Sequence, residues 1–148
     1  MTIEFDQLRP GQRLPPWVAP SGIEPWNRFA AVNDEFVPVH MDDDAGRRAG
    51  NPQGAFGMGN LRLSYVANLL REWAGDDAEI RELHVEYRSR HQKNDVLTAN
   101  GTVVAVSFAR DEVLVTVDVD VVTRDGRSTA PGTARVAFPL ATAAPDAP

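Results

Sequence analysis

Two adjacent carboxylates and an imidazole, Asp34, Glu35 and His40, fall within seven residues of the segment Asn33-Asp34-Glu35-Phe36-Val37-Pro38-Val39-His40-Met41-Asp42. If the segment curls, acid and imidazole face one cavity, where such a pair holds a water and moves a proton. An acidic stretch with a single histidine also describes a solvated loop in which His40 packs or caps, and spacing alone does not separate the two. A second cluster, Arg88, Arg90, His91 and Lys93, contains the sole lysine of the chain. It suits phosphate groups, and it equally suits the solvent face of a strand. His84 alternates with Leu83 and Val85 and is expected to point outward. Asp42, Asp43 and Asp44 look like divalent-cation ligands, but no partner ligand has suitable spacing and Asp44 can cap a helix, so no metal is expected.

The chain that must position these groups has 148 residues, the size of one domain. Fifteen basic and twenty-one acidic residues give 15 − 21 = −6, a field that repels phosphate backbones and anionic lipid, so nucleic acid and membrane surfaces are excluded as expected partners. There is no cysteine, which removes disulfides, thiolate nucleophiles and Cys-ligated metals together. The start MTIEFDQLRP lacks the basic patch of a signal peptide and no apolar run is long enough to span a bilayer. A soluble, cytoplasmic protein is expected.

Residues 1–22 hold Pro10, Gly11, Pro15, Pro16, Pro20 and Gly22 and predict an extended entry segment without a long helix or central strand. Ser21 is expected to cap a short helix from about Gly22 to Val32, with Trp26, Phe29 and Ala30 on one face. The segment Asn33 to Asp42 is too polar and Pro-broken for regular structure and predicts a loop. Met58, Leu61, Tyr65, Val66, Leu69, Leu70 and Trp73 then repeat at three and four residues until Gly75, which predicts the longest helix. From Ile80 the period falls to two: Leu83 to Tyr87, Val104 to Phe108, Val113 to Val121 and Val136 to Leu140 predict four strands. Polar turns at Lys93 to Asp95, Ala109 to Glu112 and Arg124 to Arg127 make neighbouring strands antiparallel. The tail at 141–148 is Ala/Pro-rich and is expected to fray. One helix covers only part of an antiparallel sheet, so dimerisation is expected.

These segments resemble the MaoC-like dehydratases, also called (R)-specific enoyl-CoA hydratases. Their signature is an aromatic residue followed by small-Gly-Asp-x-Asn-Pro-x-His-x-Asp, and this chain supplies Phe29, Pro38, Val39, His40 and Asp42 in register. The run Gly50 to Met58 is similar to the family's Gly-x-Pro-x-Ala-His-Gly-Met at a helix start. Tyr87-Arg88 to Asn94-Asp95-Val96-Leu97 is similar to its strand and Gly-Asp-x-Leu turn, and Arg124-Asp125-Gly126 to its last hairpin. The departures concentrate at the chemistry. Glu35 stands where the family carries its catalytic Asp, Asp34 stands for the preceding Gly, and Val37 for the supporting Asn. An ungapped alignment gives the catalytic role to Glu35; a one-residue insertion gives it to Asp34. The family's His before Gly is Phe56 if Gly57 is the match and Gln53 if Gly54 is.

The resemblance implies an α+β fold, a single hotdog domain over 1–148 in which a long central helix is wrapped by an antiparallel β-sheet. It implies a lyase that adds water to, or eliminates it from, acyl thioesters of coenzyme A or acyl carrier protein, trans-2-enoyl to (R)-3-hydroxyacyl, without metal or redox cofactor. His40 and Glu35 would be base and acid, with Asp34 as the alternative carboxylate. The backbone N–H of Gly57, or else Gly54, would polarise the thioester carbonyl, with Asn60 beside the substrate. Arg88, Arg90 and Lys93 would meet the phosphates of coenzyme A or phosphopantetheine. The partner would be a second copy or a related hotdog chain. A catalytically silent subunit of a heteromeric hydratase is the alternative, favoured by Val37 and the altered dyad. A thioesterase ranks last, because those enzymes generally place a carboxylate on the central helix, whose first turns here offer Asn60 and Ser64.

Overall fold

The computed structural model describes residues 5–140, so the expected frayed tail lies outside the described residues. After a single 3-10 turn at Phe5–Gln7 the proline-rich segment is extended, and Trp17–Pro20 forms strand β1. The helical elements are α1 (Ile23–Asn33), α2 (Pro38–Met41), α3 (Asp43–Arg48) and α4 (Gly59–Ala74). Four strands follow: β2 (Glu79–Val85), β3 (Val96–Phe108), β4 (Glu112–Thr123) and β5 (Gly132–Pro139). They form one five-stranded sheet in the order β1-β3-β4-β5-β2, with every pairing antiparallel.

The centre of the sheet is the strand whose sequence alternates most cleanly. Val113, Val115, Val117, Val119 and Val121 of β4 are all buried, because a strand paired on both sides and covered on one face must send every second residue inward. Across that face lies α4, which packs against all five strands. Its buried stripe is Leu61, Tyr65, Val66, Leu69, Leu70 and Trp73, which matches the expected periodicity, and Gly75 ends it. Burial pushes the Tyr65 phenol up to about 12.

Four expectations need correction. The entry segment contributes a fifth strand: β1 pairs with β3 along the sheet edge, where a missing proline N–H is tolerated. The strand expected at Val104 to Phe108 begins at Val96, and its buried residues are Leu97, Ala99, Gly101 and Val103. Two of these are too small to mark an apolar period, and a register shift between Val103 and Ala105 leaves Val104 and Phe108 exposed. Adjacent strands β2 and β3 do not form a hairpin, since β2 crosses to pair with β5. Finally, the polar segment is not all loop, because Pro38–Met41 makes one helical turn with Pro38 at its start.

Two cap assignments also change. Gly22 occupies the N-cap of α1, and the Ser21 hydroxyl accepts from Trp26 Nε1 at 3.2 Å instead. Asp42, not Asp44, caps α3 by accepting from the Ala45 N–H at 2.7 Å. Asp44 pairs with Arg47 on the surface.

Candidate active site

At the end of α1 the chain turns through Asp34 in the left-handed region (φ 52°, ψ 37°), which sends the next residue back toward α4. Glu35 and Asp34 therefore line the same cleft, of about 710 Å³, with Phe29, Val37, Asn60 and Ser64. Asn60, in the first turn of α4, reaches Glu35 Oε2 through Nδ2 at 3.5 Å and accepts from the Tyr87 hydroxyl at 3.1 Å. Burial holds the Tyr87 phenol above its ordinary value; the Arg62 guanidinium opposes this and the Glu35 carboxylate adds to it.

His40 sits in the one-turn helix α2 that Pro38 opens. Its Nδ1 lies 2.7 Å from the Phe56 carbonyl oxygen and its ring meets the Phe56 ring edge-on at 5.3 Å. A carbonyl only accepts, so Nδ1 carries the proton and Nε2 is the nitrogen left to take one up. His40 opens on a second cleft, of about 340 Å³, whose wall includes Phe56, Gly59, Arg62, Tyr87 and Arg88. The carboxylate and the imidazole thus face two clefts, linked by the hydrogen bond from Tyr87 to Asn60. The helix α4 begins between them. Its opening N–H groups, at Gly59 and Asn60, have no preceding turn to accept them and no side-chain cap.

Several expected donors are engaged elsewhere. The Gly57 N–H donates to the His91 carbonyl at 3.0 Å, and the Gly54 N–H closes a turn on Asn51 O at 2.9 Å. Neither is open to a thioester carbonyl as the resemblance implied, because each loop end is tied down by the backbone bond that shapes it. The basic cluster is likewise divided. Arg90 donates to the carbonyls of Ala49 and Gly50, both at 2.9 Å, and its guanidinium lies 4.5 Å from the Phe56 ring centroid. Lys93 is paired with Asp43, and this ammonium, together with the Ala55 N–H, holds the Asp43 carboxyl below its ordinary value. Arg88 remains at the mouth of the His40 cleft, paired with Glu86. His91 does not belong to the surface cluster at all. It is fully buried against Trp26, and burial pushes its pKa down to about 3, with the Arg62 charge acting in the same direction. His84 is exposed, as its place in the alternation required.

Sequence reasoning missed Arg62. It is on α4, only 3% exposed, and donates through Nη1 to Ser89 O at 2.5 Å and Thr129 O at 2.8 Å. The signal was present, since Arg62 interrupts the apolar positions next to Leu61, but an arginine at a helix flank ordinarily reads as solvent-facing.

A helix seated on one curled antiparallel sheet, with its N-terminus between the two clefts, is the hotdog fold. By structure, the chain is similar to the ChsH1-ChsH2 complex from Mycobacterium tuberculosis (TM-score 0.76, 23% identity, 88% of this chain and 98% of that one). It is also similar to the (R)-hydratase from A. caviae involved in PHA biosynthesis (TM-score 0.79, 22% identity, 90% and 98%). A third similar structure is the MaoC-like dehydratase from Rhodospirillum rubrum (TM-score 0.80, 19% identity, 96% and 100%). No family model matches the sequence, and no curated protein matches it. The fold expected from the MaoC-like resemblance is the fold observed.

Proposed function

We propose that this chain is a MaoC-like hydratase or dehydratase acting on acyl thioesters of coenzyme A or acyl carrier protein, and that His40 and Glu35 move the protons. The observation that carries the reading is the 2.7 Å contact of His40 Nδ1 with the Phe56 carbonyl, which fixes the tautomer that can act as a base at Nε2 beside the start of α4. In hydration, Nε2 takes a proton from a water whose oxygen bonds to C3 of the trans-2-enoyl thioester. The C2=C3 π electrons move toward the thioester carbonyl, and a proton is delivered to C2 by the Glu35 carboxylic acid, giving the 3-hydroxyacyl thioester. Dehydration reverses these steps. With Gly57 engaged, the N–H groups of Gly59 and Asn60 are the donors nearest the helix start for the developing negative charge. Asp34, exposed beside Glu35, is the alternative carboxylate. Arg88 is the member of the expected phosphate cluster that still faces the cleft.

The second reading is a silent subunit that completes an active homologue. It is favoured by the placement of Glu35 and His40 in separate clefts, by Val37 where the family carries a supporting Asn, and by the similarity to the ChsH1-ChsH2 complex, an assembly of two different chains. Either way a second hotdog chain, identical or related, is the proposed partner, covering the free edge of β2. The test is a direct assay of the purified protein with crotonyl-CoA and longer enoyl-CoAs, following loss of the conjugated thioester absorbance. Turnover by the protein alone supports the first reading. Turnover only on mixing with a related hotdog chain supports the second, and none in either case overturns both.

A further inference from the structure

Arg62 is a buried cation without a counter-ion. Among the described residues no carboxylate bonds to it; its partners are two carbonyls and the face of Tyr87, 5.1 Å from the guanidinium carbon. Both carbonyls are taken by Nη1. Nε is buried with no acceptor, and Nη2 makes no hydrogen bond among the described residues. Of the two unused donors Nε is sealed from solvent, which leaves Nη2 as the one a ligand oxygen can reach in a charge-assisted hydrogen bond. Removing a cation from water is costly unless an anion or full hydrogen bonding compensates. The surroundings do not compensate with charge. Arg127 and Arg88 stand nearby, Arg88 is already paired with Glu86, and this basic pocket belongs to a chain of net charge −6. Arg62 remains charged at neutral pH, although burial lowers its pKa to about 10.

We propose that Nη2 of Arg62 donates to a carboxylate at the floor of the His40 cleft, and that the carboxylate is carried by the acyl group of the substrate. The assignment to the acyl group rests on the thioester reading; the anion site does not. A carboxylate fits better than a carrier phosphate because Arg62 is at the buried floor beside His40, whereas the exposed cation of the same cleft is Arg88. Arg62 would then make the site prefer acyl chains that end in an anion, with His40 and the opening of α4 acting a few atoms away.

The test is a titration of the intact protein at constant ionic strength with succinate, with its neutral diamide and with inorganic phosphate, following the Arg62 Nε–H and His40 ring resonances by NMR. Succinate is expected to shift both with one saturating curve, while the diamide shifts neither. Arg62→Gln, which removes the charge and the guanidinium donors, should weaken succinate binding by roughly 10–100-fold, whereas Arg71→Gln at the exposed end of α4 should not. No saturable shift with succinate overturns the proposal, as does tighter binding of phosphate than of succinate, or unchanged binding by Arg62→Gln. Should Arg62→Gln fail to fold, the wild-type titration decides alone. Succinate binding without enoyl-CoA turnover keeps the anion site and removes the hydratase reading, and turnover without succinate binding does the reverse.

Discussion

The N–H of Gly57 donates to the carbonyl of His91, and the imidazole of the same His91 fills the space that a side chain at position 57 would need: a Cβ built there falls 1.7 Å from Nε2. The loop before α4 and the loop before β3 are thereby locked face to face beneath Trp26. Glycine at position 57 is explained by this packing before any catalytic role is invoked.

Gly57→Ala should therefore destabilise the fold by roughly 1–3 kcal/mol or more, as overpacking does. Gly57→Ala combined with His91→Ala should recover part of that loss, because the clashing ring is gone. Denaturant midpoints of the two single variants and the double variant measure the coupling, and additive losses would contradict it.

His91 also sets an acid limit. Its pKa falls from 6.5 to about 3 on folding, so the unfolded chain takes up the proton first as pH drops. Its neutral form contributes stability that is full above pH 6.5 and is lost as pH falls toward about 3, at up to ~1.4 kcal/mol per pH unit. Thermal unfolding from pH 7 to pH 4 should show that slope, and His91→Leu should flatten it. An equal slope in both proteins would assign the acid loss to other groups.

Replacing the proposed base tests the mechanism. His40→Ala should lower crotonyl-CoA hydration by ~10²–10⁴-fold while circular dichroism and melting temperature stay close to the parent, because His40 is half-buried and its side-chain hydrogen bond and ring contact are both to Phe56. Parental turnover in this variant would make His40 structural.

The two carboxylates separate by partner. Glu35 is held by Asn60 and Asp34 is exposed at the end of α1, so Glu35→Gln should lose most of the activity and Asp34→Asn little. The opposite ranking would hand the catalytic role to Asp34.

Assembly follows from the sheet edge. Strand β2 is last in the order β1-β3-β4-β5-β2 and is paired on one side within the chain, and Phe36 beside Glu35 is 60% exposed. Light scattering should give a mass near twice that of the chain, or of this chain plus a related one. A monomer at micromolar concentration would contradict the expected pairing.

The parts of the fold legible in the sequence are those with a strong local period. The stripe on α4 and the valines of β4 repeat at 3.6 and at two residues over long runs, and burial on one face is the only arrangement that satisfies either pattern. Strand β3 was half legible, because Ala99 and Gly101 are buried by the approach of neighbouring chain and not by their own apolar surface. The pairing of β2 with β5 left no local mark, since a strand's alternation says which face is buried and nothing about which neighbour it meets.

The candidate site divides along the same line. Residue types and spacing put Asp34, Glu35 and His40 forward as groups that could move a proton, and the MaoC-like resemblance singled out Glu35 and His40 and set them beside a helix start. Only the tertiary structure decided which donors are open, that Glu35 and His40 face different clefts, and that His91 is a buried neutral ring. It alone placed the buried Arg62 charge in the lining of the His40 cleft. These properties depend on contacts between residues distant in the chain, Gly57 with His91 and Arg62 with Ser89 and Thr129, and burial, which sets both charge state and hydrogen-bond demand, exists only once those contacts have formed.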